Sequence, residues 1–338
     1  MKELIKKLTE AYGPSGQETG VRELITAEVK PYADEIRTDV MGNLIVLKKP
    51  TTPMTPTSGG KRLMIAAHMD EIGLIVTHID EKGFVRFATV GGVNPLTLIG
   101  GRVVFADGLR GVIGAEKRES PSEEVKIEKL FIDVGAPDRA SAESLVAVGD
   151  LCGFDRSFAD GGGRLVSKAM DDRVGCAVMI RALRELGESP NEITFVFTVQ
   201  EEVGVRGATT SAYSVHPEVA IALDVTPTGD TPESRTLPVS LGKGPAVKVK
   251  DRGMLAHVGL KNLLVQTAKA NGIPYQLEVM DLGSTDGMAI QMSREGVPTG
   301  VLSIPTRYVH TTSEMVDFAD VTNTVKLLVA FLQAPIVL

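Results

Sequence analysis

Two histidines and a series of carboxylates stand at the ends of apolar runs in this 338-residue chain. In order they are His68 and Asp70 in AAHMDEIG, Asp171 and Asp172 in KAMDDRVG, Glu201 and Glu202 in TFVFTVQEEVGVRGA, Asp224 closing VAIALDV, and His310 after TGVLSIP and RYV. Open α/β sheets place their ligands at strand ends. Within a strand, residues 68 and 70 point to the same side, and a carboxylate that close can hold an imidazole in the tautomer a metal needs. Each site alone has a plainer explanation. His68-Met69-Asp70 could be a polar strand end, Asp171-Asp172 a helix cap, the glutamate pair a solvated loop start, and His310 a hydrogen-bonded core residue. The ordered set says more: two histidines and three carboxylates can hold two divalent ions if one carboxylate bridges. A glutamate pair can divide its work, one member binding metal and its neighbour acting as general base. Mixed nitrogen and oxygen donors suit Zn²⁺, Co²⁺ or Mn²⁺ and argue against Ca²⁺ or an iron–sulfur cluster.

Other chemistries find little support. His78, His216 and His257 lack carboxylates at ligand spacing, LGKGP at 241–245 lacks the full phosphate-loop pattern, and no GxSxG occurs. Cys152 and Cys176 cannot build a disulfide framework and read as reduced thiols of a cytoplasmic protein. A net charge of −7 and 4% aromatic residues argue against nucleic-acid or anionic-membrane partners. The segment KGPAVKVKDRG carries Lys243, Lys248, Lys250 and Arg252, which would favour an acidic substrate residue if any of them lines a pocket.

The elements that must position these residues are legible in outline. Residues 1–12 and 18–30 have helical periodicity, closed by Gly13-Pro14 and Pro31, and NLIVLK and KRLMIAA read as strands. Between them, the Pro/Thr/Gly stretch at 50–60 reads as a mobile surface loop. From Gly73 to about Val166, short apolar runs alternate with Gly, Asp and Pro, the texture of a small all-β unit. Beyond it, CAVMIRALREL and GLKNLLVQTAKANG read as helices and TFVFTV, VAIALDV and TGVLSIP as strands. The expected architecture is an α/β catalytic domain of residues 1–72 and 166–338, interrupted by a β-rich domain of residues 73–165. The N-terminus lacks an apolar signal core, and no stretch reaches the ~18 apolar residues of a membrane span.

GPSGQE (13–18), AAHMDEIG, KAMDDRVG, QEEVGVRGA, ALDVTP (222–227), LGKGP, GSTDG (283–287) and RYVHTTSEMV (307–316) together resemble the M42 family of metallo-aminopeptidases over nearly the whole chain. The resemblance implies a zinc-peptidase-like mixed sheet covered by helices, with a small inserted barrel or PDZ-like domain. It implies two divalent ions per subunit: His68 and Asp224 would each bind one, Glu202 and His310 the other, and Asp171 would bridge, joined to Asp172 by a cis peptide. Asp70 would orient His68, and Glu201 would be the general base acting on a metal-bridging water. Gly283, Thr285 and Asp286 would belong to the substrate site. Ser284, Gly287 and Thr311 depart from the usual family pattern where substrate is expected, which bears on specificity rather than chemistry. The implied substrates are peptides with a free N-terminus, and the implied assembly is a tetrahedral dodecamer built from dimers. A two-metal amidohydrolase acting on N-acyl amino acids and a non-catalytic assembly protein are the alternatives. Glycoside hydrolysis fits less well, since two carboxylates would suffice and both histidines would be idle.

Overall fold

The computed structural model describes every residue except 55–59, 118–119, 121–122 and 235–236, so the middle of the Pro/Thr/Gly stretch lies outside the described residues. Among the described residues the chain forms an eleven-stranded mixed sheet and a separate closed barrel. Four parallel strands make the middle of the large sheet, in the order Glu192–Thr198, Arg62–His68, Val219–Pro227 and Thr299–Arg307. Their register sets Thr198 beside His68 and Ala222 beside Ala66, so Asp224 reaches the level of His68 two residues later.

Each central strand is buried on both faces, and the alternation of side chains decides what covers each face. Leu63, Ile65, Ala67, Phe195, Phe197, Ile221 and Leu223 face a large core shared with the helices Lys2–Glu10, Thr19–Val29, Met170–Glu185 and Phe318–Leu332. Met64, Ala66, Val196 and Ala220 face the other way, against Ala208 and Ala212 of the helix Arg206–Val215. Small residues on both partners let that helix approach closely. The helix Met170–Glu185 is buried over most of its length because it runs between the sheet and the terminal helices.

The barrel closes in the order Gly73–Ile79, Val85–Val90, Leu130–Asp133, Arg110–Ala115, Arg102–Phe105 and Leu151–Phe154, the last strand pairing back to the first. Closure leaves no unpaired edge, and Leu74, Val85, Phe87, Val103, Ile113 and Ile132 fill its interior. Cys152 is buried in this core and Cys176 lies under the large sheet, both as free thiols. The barrel's own strands end at Phe154. Ala159–Asp160 and Arg164–Ser167 join the large sheet, so a division at 165/166 falls inside one of its strands. Among the described residues no helix is long and apolar enough to cross a membrane.

Candidate metal centre

The loops that leave the four central strands converge on one point. His68 is the last residue of its strand, Asp224 lies within Val219–Pro227, and Glu201 and Glu202 follow Glu192–Thr198. His310 follows Thr299–Arg307. Asp171 comes from the start of Met170–Glu185, where Asp171 and Asp172 have non-helical backbone and are joined by a cis peptide. Ala169, Gln200, Val205, Tyr308 and His310 all have φ between 48° and 61°, the left-handed region that β-carbon sterics disfavour. Such strain gathers where surrounding structure over-determines the backbone, commonly at functional sites.

Asp171 sits between the two histidines. Its Oδ1 lies 3.0 Å from His68 Nε2, and its Oδ2 lies 3.4 Å from His310 Nε2. His310 Nε2 is also 3.2 Å from Glu202 Oε2, and His68 Nε2 is 4.0 Å from Asp224 Oδ1. Two donor sets result, His68–Asp171–Asp224 and Asp171–Glu202–His310, each with ligand atoms within 4.8 Å of one another. The donor chemistry fits divalent cations. Glu202 Oε1 and Asp172 Oδ2 are buried without a hydrogen-bond partner, and no Lys or Arg pairs with Asp171, Glu201, Glu202 or Asp224 among the described residues. Without cations, the carboxylates must hold protons or lean on the histidines. Burial, with Asp171 beside it, raises Asp224 well above the usual carboxylate range. Burial also raises Glu201, an effect His68 opposes and Asp224, Asp286 and Glu202 strengthen. Burial works against charge on His310, yet Asp171 and Glu202 push it up to about 12.

Behind the donors lies a scaffold at which the sequence motifs only hint. Asp70 is fully buried, with its backbone carbonyl 3.1 Å and its Oδ1 3.4 Å from His68 Nδ1. It accepts hydrogen bonds from Ser15 Oγ at 2.6 Å and from the backbone N–H groups of Glu201 and Glu202 at 3.0 and 3.1 Å. Asp70 thus orients a histidine through its carbonyl and carboxylate together, while the carboxylate fixes the backbone of the glutamate pair. Glu314 has no evident role in the sequence, yet it accepts from the backbone N–H of His310 at 2.8 Å and of Asp171 at 3.0 Å. Ser15 and Glu18 are equally silent there, although both lie in GPSGQE; Glu18 accepts from the N–H of Gly16 and of Gln200. The one available signal is a hydroxyl or carboxylate inside a motif, without any indication of its partner.

The barrel reaches the site through Gly91 and Gly92. A β-carbon on Gly92 would lie 2.6 Å from His310 Nδ1, and one on Gly91, whose φ is 81°, would lie 3.1 Å from Glu202 Oε2. Gly92→Ala is therefore expected to displace the His310 ring and weaken metal affinity about 10- to 100-fold, with secondary structure unchanged. Metal titration followed by isothermal calorimetry, alongside circular dichroism, checks this; an unaltered titration would mean the ring yields freely.

The strand that leads to His310 is tied down by an ion pair. Asp230 accepts from Arg307 Nε at 2.9 Å and Nη2 at 2.8 Å, from Thr228 Oγ1 at 2.6 Å and from Leu241 N at 3.0 Å. Arg307 is the main reason its carboxyl stays far below the usual range, against a smaller opposing effect of burial. A depressed pKa contributes stability that is fully present above the unfolded value of ~3.9 and is lost as pH falls through the folded value. Asp230→Asn is thus expected to cost about 1 kcal/mol at pH 7, and the difference from wild type should shrink once the pH drops below ~3.9. Urea unfolding of both proteins across pH measures it; a pH-independent gap would rule out the charge as its source.

A cavity of about 500 Å³ opens onto the donors, lined by Asp171, Glu201, Glu202, Asp224 and His310 on one side. Gly283 and Ser284 line it too. Thr285 and Asp286 are not among its lining residues: Thr285 Oγ1 caps Gly287 N–H at 3.2 Å, and buried Asp286 accepts from Thr198 Oγ1 at 2.5 Å. Of the four basic residues in KGPAVKVKDRG, Lys248 lines the cavity. His257 accepts from Leu260 N–H at a helix start, away from the donors.

Comparison with known proteins gives a consistent picture. The family model described as M42 glutamyl aminopeptidase matches residues 42–327. A lysyl aminopeptidase of Pyrococcus furiosus is 39% identical, the match covering 98% of this chain and 96% of that protein. Among solved structures, an aminopeptidase from the archaeon Desulfurococcus kamchatkensis superposes with a TM-score of 0.93 at 42% identity, covering 98% of this chain and 95% of that one. The Pyrococcus horikoshii TET1 peptidase, which can assemble into a tetrahedron or a large octahedral shell, gives 0.87 at 34% identity over 98% of each chain.

Proposed function

The chain belongs to the M42 family of aminopeptidases, hydrolases of peptide bonds, and from that premise we propose that it removes single residues from free peptide N-termini with two divalent ions and Glu201 as general base. The observation that carries the reading is a carboxylate, Asp171, shared by two donor sets at the wall of one cavity. His68 and Asp224 would hold one ion, Glu202 and His310 the other, with Asp171 between them. When bound, Zn²⁺, Co²⁺ or Mn²⁺ would supply Lewis acidity and make water a nucleophile at neutral pH.

The rest is work for the chain's own groups. Asp70 holds His68 by its ring and Glu201 and Glu202 by their backbone. Glu201 lies outside both donor sets yet lines the cavity, where its carboxylate can take a proton from the attacking water and return it to the departing amine nitrogen. Gly283 lies in the cavity wall, where it would meet the substrate, while Thr285 and Asp286, next in the chain, would hold that loop through Gly287 N–H and Thr198 Oγ1. We further propose that the inserted unit expected at residues 73–165 is an assembly unit whose core is the barrel ending at Phe154, and that the rest of the chain, with Ala159–Asp160 and Arg164–Ser167 in its sheet, forms the catalytic one. Exposed Leu96, Ile99, Val112, Leu145 and Val148 on the barrel unit support self-association, and a tetrahedral dodecamer of dimers is the assembly we propose. Two buried free thiols fit a cytoplasmic location.

The test is a peptide panel with free and acetylated N-termini, after EDTA treatment and re-addition of each metal. Metal-dependent release of single residues from free N-termini alone supports the reading. Cleavage of acetylated substrates alone would replace it with an amidohydrolase, and no cleavage with any metal would leave an assembly or binding role.

A further inference from the structure

The aminopeptidase reading leaves open which first residue the enzyme accepts, and the cavity beside the donors bears on that choice. Away from the carboxylates and His310, its side-chain wall is mostly apolar, with Val205, Val225, Met280, Leu282, Met288 and Val309, and Ser284 is its one uncharged polar side chain. A second cavity of about 420 Å³ shares Pro227, Met280 and Leu282 and adds Leu237 and Val279, with Thr228 and Asp281 as its polar members, the Asp281 carboxylate being paired with Lys250. The only Lys or Arg in the cavity wall, among the described residues, is Lys248.

Lys248 is already committed. Its Nζ lies 3.0 Å from Glu278 Oε1 and 3.3 Å from Asp251 Oδ2, and none of the three side chains is more than 1% exposed. Strand pairing enforces this, since Lys248 sits directly across from Glu278 between Ala246–Lys250 and Gln276–Val279. Asp251 is held in place by the backbone N–H groups of Gly253 and Met254, both at 2.8 Å. Two carboxylates on one ammonium leave no spare positive charge for an acidic substrate. Nor can a cationic substrate reach Glu278, which is fully buried behind Lys248 and does not line the cavity. Lys250, the neighbouring candidate, points elsewhere and pairs with Asp281 at 2.6 Å.

We infer that this cavity receives the side chain of the substrate's first residue and selects an apolar one, such as leucine or methionine, over acidic or basic residues. The inference rests on the aminopeptidase reading above. A carboxylate entering the pocket loses its water and finds no free cation, only the unpaired Ser284 hydroxyl, whereas an aliphatic side chain loses nothing. A lysine stem can lie along the methionines but must leave its ammonium unpaired or turn it back to solvent.

The experiment compares kcat/KM for leucyl, methionyl, glutamyl and lysyl p-nitroanilides on the metal-loaded wild-type enzyme. Leucyl and methionyl substrates are expected to exceed the glutamyl one about 100-fold and the lysyl one about 10-fold. Glutamyl or lysyl substrates cleaved as well as leucyl would overturn the inference. Met280→Arg, or Met288→Lys should the first not fold, is expected to raise the glutamyl-to-leucyl ratio at least about 10-fold. No change of ratio in a folded variant would count against the pocket. Calorimetric binding of free L-leucine against L-glutamate separates the two claims. Tighter leucine binding without turnover of any substrate would sink the proposed function and keep the pocket, while equal binding of the two would sink the pocket itself.

Discussion

Glu201→Gln is expected to retain its full complement of metal while kcat for peptide hydrolysis falls about 10²- to 10⁴-fold, the usual contribution of a positioned general base. The expectation follows from what Glu201 touches. It belongs to neither donor set, so removing its charge leaves His68, Asp171, Glu202, Asp224 and His310 in place. Its backbone is pinned by the Asp70 carboxylate through an N–H that glutamine also carries. Glutamine fills the same volume in the cavity wall but cannot accept a proton at the amide oxygen near neutral pH. The measurement is metal content by atomic emission together with kcat on one free-N-terminal peptide. Near-normal kcat would remove Glu201 from its role, and lost metal would recast it as a ligand.

Asp171→Asn should do the opposite: both donor sets fail together, and activity falls by at least about 10³-fold. Asp171 is the one residue common to the two sets, with one oxygen toward each histidine. The amide has similar size but loses the negative charge and offers an N–H on one side, which faces an imidazole nitrogen or a cation unfavourably. By contrast, a change to Asp224 or Glu202 touches one set only. Calorimetric titration of Zn²⁺ into the three variants therefore has a distinct pattern: Asp171→Asn loses both binding events, and each of the others loses one. A single lost event in Asp171→Asn would show that the carboxylate does not serve both sets.

Much of this is legible in the order of the amino acids. His68, Asp171, Glu202, Asp224 and His310 stand out because most of them follow apolar runs, and such runs become buried strands whose ends meet at one edge of a parallel sheet. The β-rich texture between Gly73 and Phe154 forms a closed barrel for a similar reason: short alternating runs with frequent turn residues have few other ways to bury one face. The same texture runs on past Phe154, and there it misleads. Arg164–Ser167 looks no different from a barrel strand, and only its pairing with Glu314–Asp317 shows that it belongs to the large sheet.

The residues that carry no such signal act through partners far away in the chain. Glu314 supports Asp171 by a backbone hydrogen bond across 143 positions, and Ser15 supports Asp70 across 55. The lysines pose the same problem. KGPAVKVKDRG advertises positive charge, but strand pairing sets Glu278 against Lys248, and that contact decides whether the charge is free. The types and order of the candidate metal donors, the strands they close and the turns between them are local matters, governed by side-chain chemistry and short-range periodicity, and are readable from the sequence alone. Which carboxylate is shared, what braces the histidines, and whether the cavity carries net charge depend on distances between groups far apart in the chain, and only the tertiary structure could decide them.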